Sequence, residues 1–115
     1  MDKTKKDLSI IEHILAYCVE IEQTIARFGG TFEIFETDKI YRNAATMCIL
    51  QIGELTGRLS PEFTAVHISI PWRSIKSMRN IAAHAYGSIS IHDTWETIMV
   101  DIPILKDYCR KVLNS

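Results

Sequence analysis

The chain of 115 residues is 47% hydrophobic and 23% charged, and its formal net charge at pH 7 is −1. These values are typical of one globular domain over residues 1–115 and exclude a disordered chain. The apolar runs are shorter than the ~20 residues that cross a bilayer, so we expect no membrane segment. A net charge so close to zero also argues against a protein covered with positive charge for non-specific binding of nucleic acid.

Two features indicate a cytoplasmic protein. The segment Met1–Asp7 is basic but leads into an amphipathic pattern instead of an apolar core with a cleavage site, so we expect no secretory signal. The three cysteines, Cys18, Cys48 and Cys109, are odd in number and far apart in the sequence, which favours reduced thiols in the core over disulfides. Neither C-x-x-C nor H-E-x-x-H occurs, and we expect no metal and no cofactor.

The first predicted element is an amphipathic helix over Leu8–Phe28. Its apolar residues recur at steps of three and four, which is the period of one helix face, and two glycines then end it. We interpret Thr31–Thr37 as a connector whose Phe32 and Phe35 pack against the core.

A second helix is predicted over roughly Lys39–Leu59, with Thr37 or Asp38 as its N-cap. Ser60-Pro61 ends this helix and can open a short turn of another, and 67–70 is expected to be a loop or an extended segment. The apolar positions at helical spacing that we expect to face the core are Ile40, Ala44, Met47, Cys48, Ile52, Leu55 and Leu59. Three tyrosines have no special sequence context: Tyr17, Tyr41 and Tyr108.

Pro71 is predicted to begin a third helix that Gly87 closes. Trp72 and Ile75 lie on its apolar side, together with Met78 and Ala82, and Tyr86 is a further candidate for this side. The two tryptophans, Trp72 and Trp95, are expected to be core or interface anchors.

The last helix is predicted to start near Asp93, because Asp93 and Glu96 have the spacing of a capping box. Pro103 should kink or split this helix near Val100, since proline cannot donate the helical hydrogen bond. No alternating, strand-like run occurs. The sequence therefore predicts an all-α, up-and-down bundle of four to five helices.

The stretch Arg79–Tyr86 carries the groups that could act on a phosphodiester. Guanidinium binds phosphate oxygens with a planar fork of donors, and imidazole exchanges a proton near neutrality. Cleaving RNA without a metal requires a base for the 2′-hydroxyl, a cation for the charged phosphorane and an acid for the leaving 5′-oxygen. We therefore predict a metal-independent endoribonuclease that yields a 2′,3′-cyclic phosphate, with Arg79 and His84 as catalytic residues. Asn80 would orient His84 or bind phosphate, and Tyr86 would bond to or stack on a base.

A single regular helix does not bring the two catalytic candidates together. Arg79 and His84 are five residues apart, which places them about 140° apart around a helix. One histidine also cannot readily be both base and acid in one step. The two side chains can converge on one phosphate if the helix ends near Ala83, if the long arginine reaches round, or if another subunit supplies one of them, and we favour a helix end combined with a second subunit. A two-fold dimer that opposes both residues with their symmetry mates would also supply a second imidazole, so we expect the active site at a dimer interface.

The residues around this stretch are locally basic. Arg73, Lys76 and Arg79 follow one another at steps of three and form a slanted cationic ridge that could track a phosphate backbone. Glu54 could position Arg79 or Asn80, or be a surface acid on its helix.

Other interpretations remain open from the residues alone. An arginine and a histidine at this spacing also occur on helix surfaces without any catalytic role. His13, His67 and His92 could each supply a second imidazole, although surface or loop positions suit them better. The same polar groups would also fit a non-catalytic module that binds nucleotide or RNA and regulates a nucleotidyltransferase, or a plain helical adaptor.

The stretch resembles the Arg-x4-His-x-Tyr signature of the HEPN superfamily, in its HepT-like toxin branch. Similar blocks include Ile52-Gly53-Glu54-Leu55, Pro71-Trp72-Arg73-Ser74-Ile75 and Pro103-Ile104-Leu105, and the resemblance covers roughly Leu8–Leu113.

That resemblance implies a dimeric helical bundle with metal-independent endoribonuclease activity on mRNA or tRNA, with Arg79 and His84 in the catalytic positions. It also implies the toxin component of a toxin–antitoxin system. The implied partner is a small nucleotidyltransferase antitoxin (MNT), which would neutralise the toxin by attaching AMP to Tyr86.

Overall fold

The computed structural model describes residues 3–72, Ile75 and residues 91–114, and every regular segment in those ranges is helical. The expectation of an all-α bundle is confirmed. The described elements, in chain order, are α1 (Lys3–Phe28), α2 (Phe32–Thr37), α3 (Lys39–Thr56), α4 (Pro61–Val66), α5 (Ile91–Glu96), the π-helical segment π1 (Thr97–Asp101) and α6 (Ile102–Asn114).

The helix α1 is the centre of the bundle and packs against both α3 and α6. Its fully buried residues, Ile11, Ile14, Cys18 and Ile21, follow one another at steps of three and four, as the sequence predicts. A salt bridge of 2.6 Å from Lys106 Nζ to Glu22 Oε1 also joins α6 to α1. The apolar stripe of α1 thus supplies one wall of the core.

The segment predicted to be a connector is in fact a short helix, α2. Six residues are too few for a helix that is stable by itself, so its period is hard to recognise in the sequence. Tertiary contacts stabilise it instead. Phe35 is fully buried, with its ring centroid 5.1 Å from that of Trp95, and Arg42 donates from Nη1 to the backbone oxygens of Phe35 and Glu36 at the helix end.

The helix α3 begins at its predicted cap, because Asp38 Oδ1 accepts hydrogen bonds from the backbone nitrogens of Ile40 and Tyr41 at 3.0 and 3.2 Å. Its buried face agrees with the prediction at Cys48 and Ile52 but differs from it at two other positions. Ile40 is 70% exposed and Met47 is 54% exposed. The buried positions are Tyr41, Ala45, Cys48, Ile49, Ile52, Gly53 and Thr56.

Tyr41 has a central role that its sequence context did not indicate. The side chain is fully buried, and its ring packs against the rings of Phe28 and Phe35 with centroids 5.0 and 4.9 Å away. Its hydroxyl donates a hydrogen bond of 2.9 Å to the carbonyl oxygen of Gly29. Tyr41 therefore joins the end of α1 to the start of α3, and burial raises the pKa of its phenol.

The short turn predicted at Ser60-Pro61 is the helix α4. Ser60 Oγ accepts from the backbone nitrogen of Phe63 at 3.2 Å, and the carboxylate of buried Asp7 accepts from Ser60 N at 2.9 Å and Ser60 Oγ at 2.6 Å. This chain of bonds joins the first turns of α1 to the cap of α4.

The irregularity predicted near Val100 is present as π1, which continues the helical path from α5 into α6. Pro103 lies just after π1, where its missing N–H would otherwise break the regular hydrogen-bond ladder. The predicted start of this region is wrong, because Asp93 lies in the first turn of α5 and not at its cap. The buried residues of this region are Thr94, Thr97, Ile98, Ile102, Leu105 and Cys109.

All three cysteines are free and buried, as expected. Burial raises the pKa of the Cys18 and Cys109 thiols, the latter to about 12. Burial, followed by the hydrogen bond of 3.0 Å from Cys48 Sγ to Glu20 Oε2, raises the pKa of Cys48 to about 12. No helix in the described part of the chain is long and apolar enough to cross a membrane.

Candidate functional site

Most of the predicted site lies outside the described residues. Arg73, Lys76, Arg79, Asn80, His84 and Tyr86 all belong to this group. Their convergence, and the pairing of Arg79 with His84 across a dimer, stay predictions. The chain on either side of them can be described in detail, and it shows how the bundle holds both ends of the segment.

On the N-terminal side, the chain turns helically at Pro71. The backbone nitrogen of Ile75 donates a hydrogen bond of 3.1 Å to the oxygen of Pro71, which is one α-helical turn, and Ile75 is buried in the core. Trp72 packs against the core from a half-buried position, so Trp72 and Ile75 lie on the apolar side as predicted. Met78, Ala82 and the predicted helix end at Gly87 lie outside the described residues.

The loop before Pro71 is held by His67, which sequence analysis placed among surface or loop residues. It is the C-cap of α4, but its ring is half-buried and its Nδ1 lies 2.5 Å from Tyr108 Oη on α6, sharing a hydrogen bond. Its carbonyl oxygen accepts from Trp72 Nε1 at 2.8 Å. Tyr108, for which the sequence indicated no role, therefore contacts the approach to the candidate site.

On the C-terminal side, α5 begins at Ile91 and returns the chain to the core. The exposed ring of His92 stacks on Phe32 with centroids 4.2 Å apart, and Trp95 packs against Phe35 and Tyr41. Trp95 is thus a core anchor, as predicted. The stacking ties the start of α5 to α2.

The remaining titratable candidates are dispersed. His13 is exposed on α1, where its Nδ1 donates to Ser9 O at 2.7 Å. Glu54 is exposed on α3 beside buried Gly53, and whether it contacts Arg79 or Asn80 stays a prediction, since both lie outside the described residues. Among the residues that the structure describes, no three His, Cys, Asp or Glu side chains are grouped to hold a metal ion.

One carboxyl group near α6, that of Asp101, is unfavourable in its ionised form. Partial burial and then the nearby negative charge of Glu96 raise the pKa of Asp101, which lies at the end of π1. The ionised form of Asp101 is therefore disfavoured in the folded protein.

These features define a small all-α protein whose segment between Ile75 and Ile91 carries arginine, asparagine, histidine and tyrosine. The sequence profile of the family described as "Ribonuclease HepT-like" matches residues 14–112. The chain belongs to this HepT-like family of the HEPN superfamily. The resemblance to this family that the sequence indicates is therefore confirmed.

Several curated proteins are similar over most of the chain. One named "Putative RNase" from Caldanaerobacter subterraneus subsp. tengcongensis is 35% identical over 106 residues, which cover 91% of this chain and 92% of that protein. A "Probable ribonuclease HepT" from Thermococcus cleftensis is 35% identical over 81 residues, covering 70% and 74%. A "Gamma-glutamylcyclotransferase and putative RNase" from Methanocaldococcus jannaschii is 33% identical over 112 residues, covering 96% of this chain and 50% of that protein. No solved structure matches significantly.

Proposed function

We propose that this protein is a metal-independent endoribonuclease that acts as the toxin of a toxin–antitoxin system. The single observation that carries the proposal is membership of the HepT-like ribonuclease family in a chain that retains Arg79, Asn80, His84 and Tyr86 at the signature spacing. Two relatives that match most of this chain are also named as ribonucleases.

The proposed reaction is a transesterification. His84 of one subunit accepts the proton of the 2′-hydroxyl, whose oxygen attacks the adjacent phosphorus, and the bond to the 5′-oxygen breaks. His84 of the partner subunit protonates that leaving oxygen, and the paired Arg79 side chains stabilise the negative charge on the phosphorane. The products are a 2′,3′-cyclic phosphate and a 5′-hydroxyl.

Three further residues would bind the RNA in this proposal. Arg73 and Lys76 contact phosphates along the strand that approaches the site, and this contact makes binding weaker at high salt. Asn80 orients His84 or holds the phosphate. The anchored turn at Pro71–Ile75 supports this arrangement, because it gives the cationic ridge a firm start on the core.

A second copy of the chain is part of the proposal, since one subunit supplies a single His84. Two strongly exposed apolar residues, Val66 and Ile68 (75% and 80% exposed), flank His67 just before the candidate segment. A partner subunit that faced this segment could cover them. Activity per subunit should then fall when the protein is diluted until the dimer dissociates.

The test is cleavage of RNA in EDTA by the purified protein. We expect His84→Ala to lose cleavage by at least about 100-fold, as is usual for a general acid–base group, and Arg79→Ala to lose about as much because the charge on the phosphorane is no longer stabilised. His13→Ala, which removes an exposed histidine from α1, should remain fully active. Full activity of His84→Ala would refute the proposal. Binding of RNA without turnover by the wild type, lost only in Arg79→Ala, would instead favour the non-catalytic module.

Neutralisation by a nucleotidyltransferase is tested separately. The phenol oxygen of Tyr86 attacks the α-phosphorus of ATP, pyrophosphate leaves, and the attached AMP brings negative charge to the place where RNA phosphate binds. Incubation with a partner nucleotidyltransferase and ATP should add AMP to the wild type but not to Tyr86→Phe. An identical adduct on Tyr86→Phe would exclude this site of modification.

A further inference from the structure

Four aromatic side chains form a cluster between α4, α6 and the turn at Pro71, and we refer to them as the His67 cluster: Phe63, His67, Trp72 and Tyr108. The rings of Phe63 and His67 lie 4.2 Å apart, and the ring of Tyr108 meets that of His67 edge-on at 5.3 Å. Trp72 is 6.5 Å from Phe63 between ring centroids. All four side chains are half-buried.

Two hydrogen bonds of His67 link α6 to the turn at Pro71. Tyr108 Oη shares a hydrogen bond of 2.5 Å with His67 Nδ1, and the same histidine accepts at its backbone oxygen from Trp72 Nε1 at 2.8 Å. Partly buried imidazole and phenol groups lose contact with water, and the hydrogen bond between them offsets this loss. Apolar side chains at these two positions would fill the space equally well without such a bond.

The end of this chain of bonds is the start of the candidate site. Trp72 directly precedes Arg73, and its turn contains the bond from Ile75 N to Pro71 O. Arg79 follows Ile75 by four residues. Any rotation of this first turn about the core would therefore displace the start of the segment that carries Arg79.

We propose that His67 and Tyr108 are positioning residues for the endoribonuclease site, because they hold Trp72 and thereby the first helical turn of the segment that carries Arg79 and His84. This inference rests on the proposed function. Neither residue contacts the reacting atoms. They act by limiting small displacements of the catalytic groups, to which reaction rates are steeply sensitive.

The main experiment compares Tyr108→Phe with Tyr17→Phe. Each variant removes one hydroxyl from a half-buried tyrosine that packs against the core, and Tyr17 lies on α1 and is not one of the four side chains of the His67 cluster. Losing the bond to His67 should lower kcat for RNA cleavage about five- to tenfold, while KM changes less than about twofold. Tyr17→Phe should leave both constants unchanged.

A second pair of variants tests the histidine. In His67→Asn a short amide replaces the ring near the place of Nδ1, whereas in His67→Gln the amide lies nearer the place of Nε2. We expect His67→Asn to keep part of the wild-type kcat and His67→Gln to have the lower kcat of the two. A role limited to filling space would give the reverse order, because Gln is the larger side chain.

A structural measurement makes the test independent of activity. Hydrogen exchange at the Trp72 indole N–H and at the Ile75 amide, followed by NMR, should be faster in Tyr108→Phe than in Tyr17→Phe, with exchange in α1 unchanged. If kcat and both exchange rates are the same in the two variants of an active protein, the inference is refuted. It is also refuted if exchange increases but kcat does not change.

An inactive wild type would have a different meaning. It would remove the proposed function and, with it, any catalytic role for His67 and Tyr108. The exchange rates of Trp72 and Ile75 would still decide whether the pair restrains this turn.

Discussion

Gly29 and Gly30 are adjacent in the chain, yet the structure predicts that substitution by alanine changes the stability of the protein very differently at the two positions. Gly29 has φ +125°, in the region that residues with a Cβ rarely adopt, and a Cβ built there would lie 2.7 Å from Ile34 Cδ1. At Gly30 a Cβ would meet no atom within 4 Å. The two substitutions therefore form a matched pair within one loop.

The cost at Gly29 comes mostly from the backbone. Holding an L-residue at such a φ costs about 1–3 kcal/mol. The clash adds little, because Ile34 Cδ1 is the end of an exposed and flexible side chain. The hydrogen bonds of 2.8 Å from Gly29 N to Ile25 O, and of 2.9 Å from Tyr41 Oη to Gly29 O, oppose relaxation of the loop. We expect a loss of about 2 kcal/mol in the free energy of unfolding.

Thermal unfolding followed by circular dichroism measures this loss. For a chain of this length, about 2 kcal/mol corresponds to a decrease in Tm of about 8 °C. Gly30→Ala should leave Tm unchanged or slightly higher, because alanine restricts the unfolded chain. Both variants must be compared at one protein concentration, since association would make Tm depend on it. Equal decreases in both variants, or none in Gly29→Ala, would refute the reasoning.

Two further predictions concern ionisable groups. Because the folded-state pKa of Asp101 is raised, the folded protein holds this proton more tightly than the unfolded chain, so its contribution to stability is lost as the pH rises through the carboxyl range. Asp101→Asn should therefore raise Tm at pH 7, with a gain that shrinks as the pH falls towards 4. A gain that grows at low pH would contradict this sign. For Cys48, a pKa of about 12 leaves about one thiolate in ten thousand at pH 8, so a disulfide reagent such as Ellman's should react about 1,000-fold more slowly with the native protein than with the denatured one. Rapid titration of Cys48 in the native protein would show that the thiol is not held as described.

The local features of the fold were predictable from short stretches of sequence. The period of α1, the cap at Asp38, the turn at Ser60-Pro61 and the irregularity near Val100 each depend on residues within about one or two turns of one another. The identity of the candidate catalytic residues was likewise a matter of residue type and spacing. The family assignment agrees with the predicted ribonuclease class, and the roles of Arg79 and His84 stay predictions.

Other features depended on partners that are distant in the chain. The short helix α2 forms because Phe35 is buried against residues of α3 and α5, and no local pattern encodes that contact. On α3, Ile40 and Tyr41 are both acceptable core residues by type, and neighbouring positions differ by about 100° around the helix. Only the packing of α3 on α1 and α2 decided that Tyr41 faces the core and Ile40 faces solvent.

The sequence by itself determined the period of α1, the cap of α3 and the turn that opens α4, because these features depend on side-chain chemistry and near neighbours. The prediction that Arg79 and His84 cleave a phosphodiester rests on the same kind of local information. The tertiary structure alone decided which face of α3 is buried and that Tyr108 bonds to His67 across 41 positions of sequence. Such contacts arise when helices pack, and packing depends on the shapes of several elements at once.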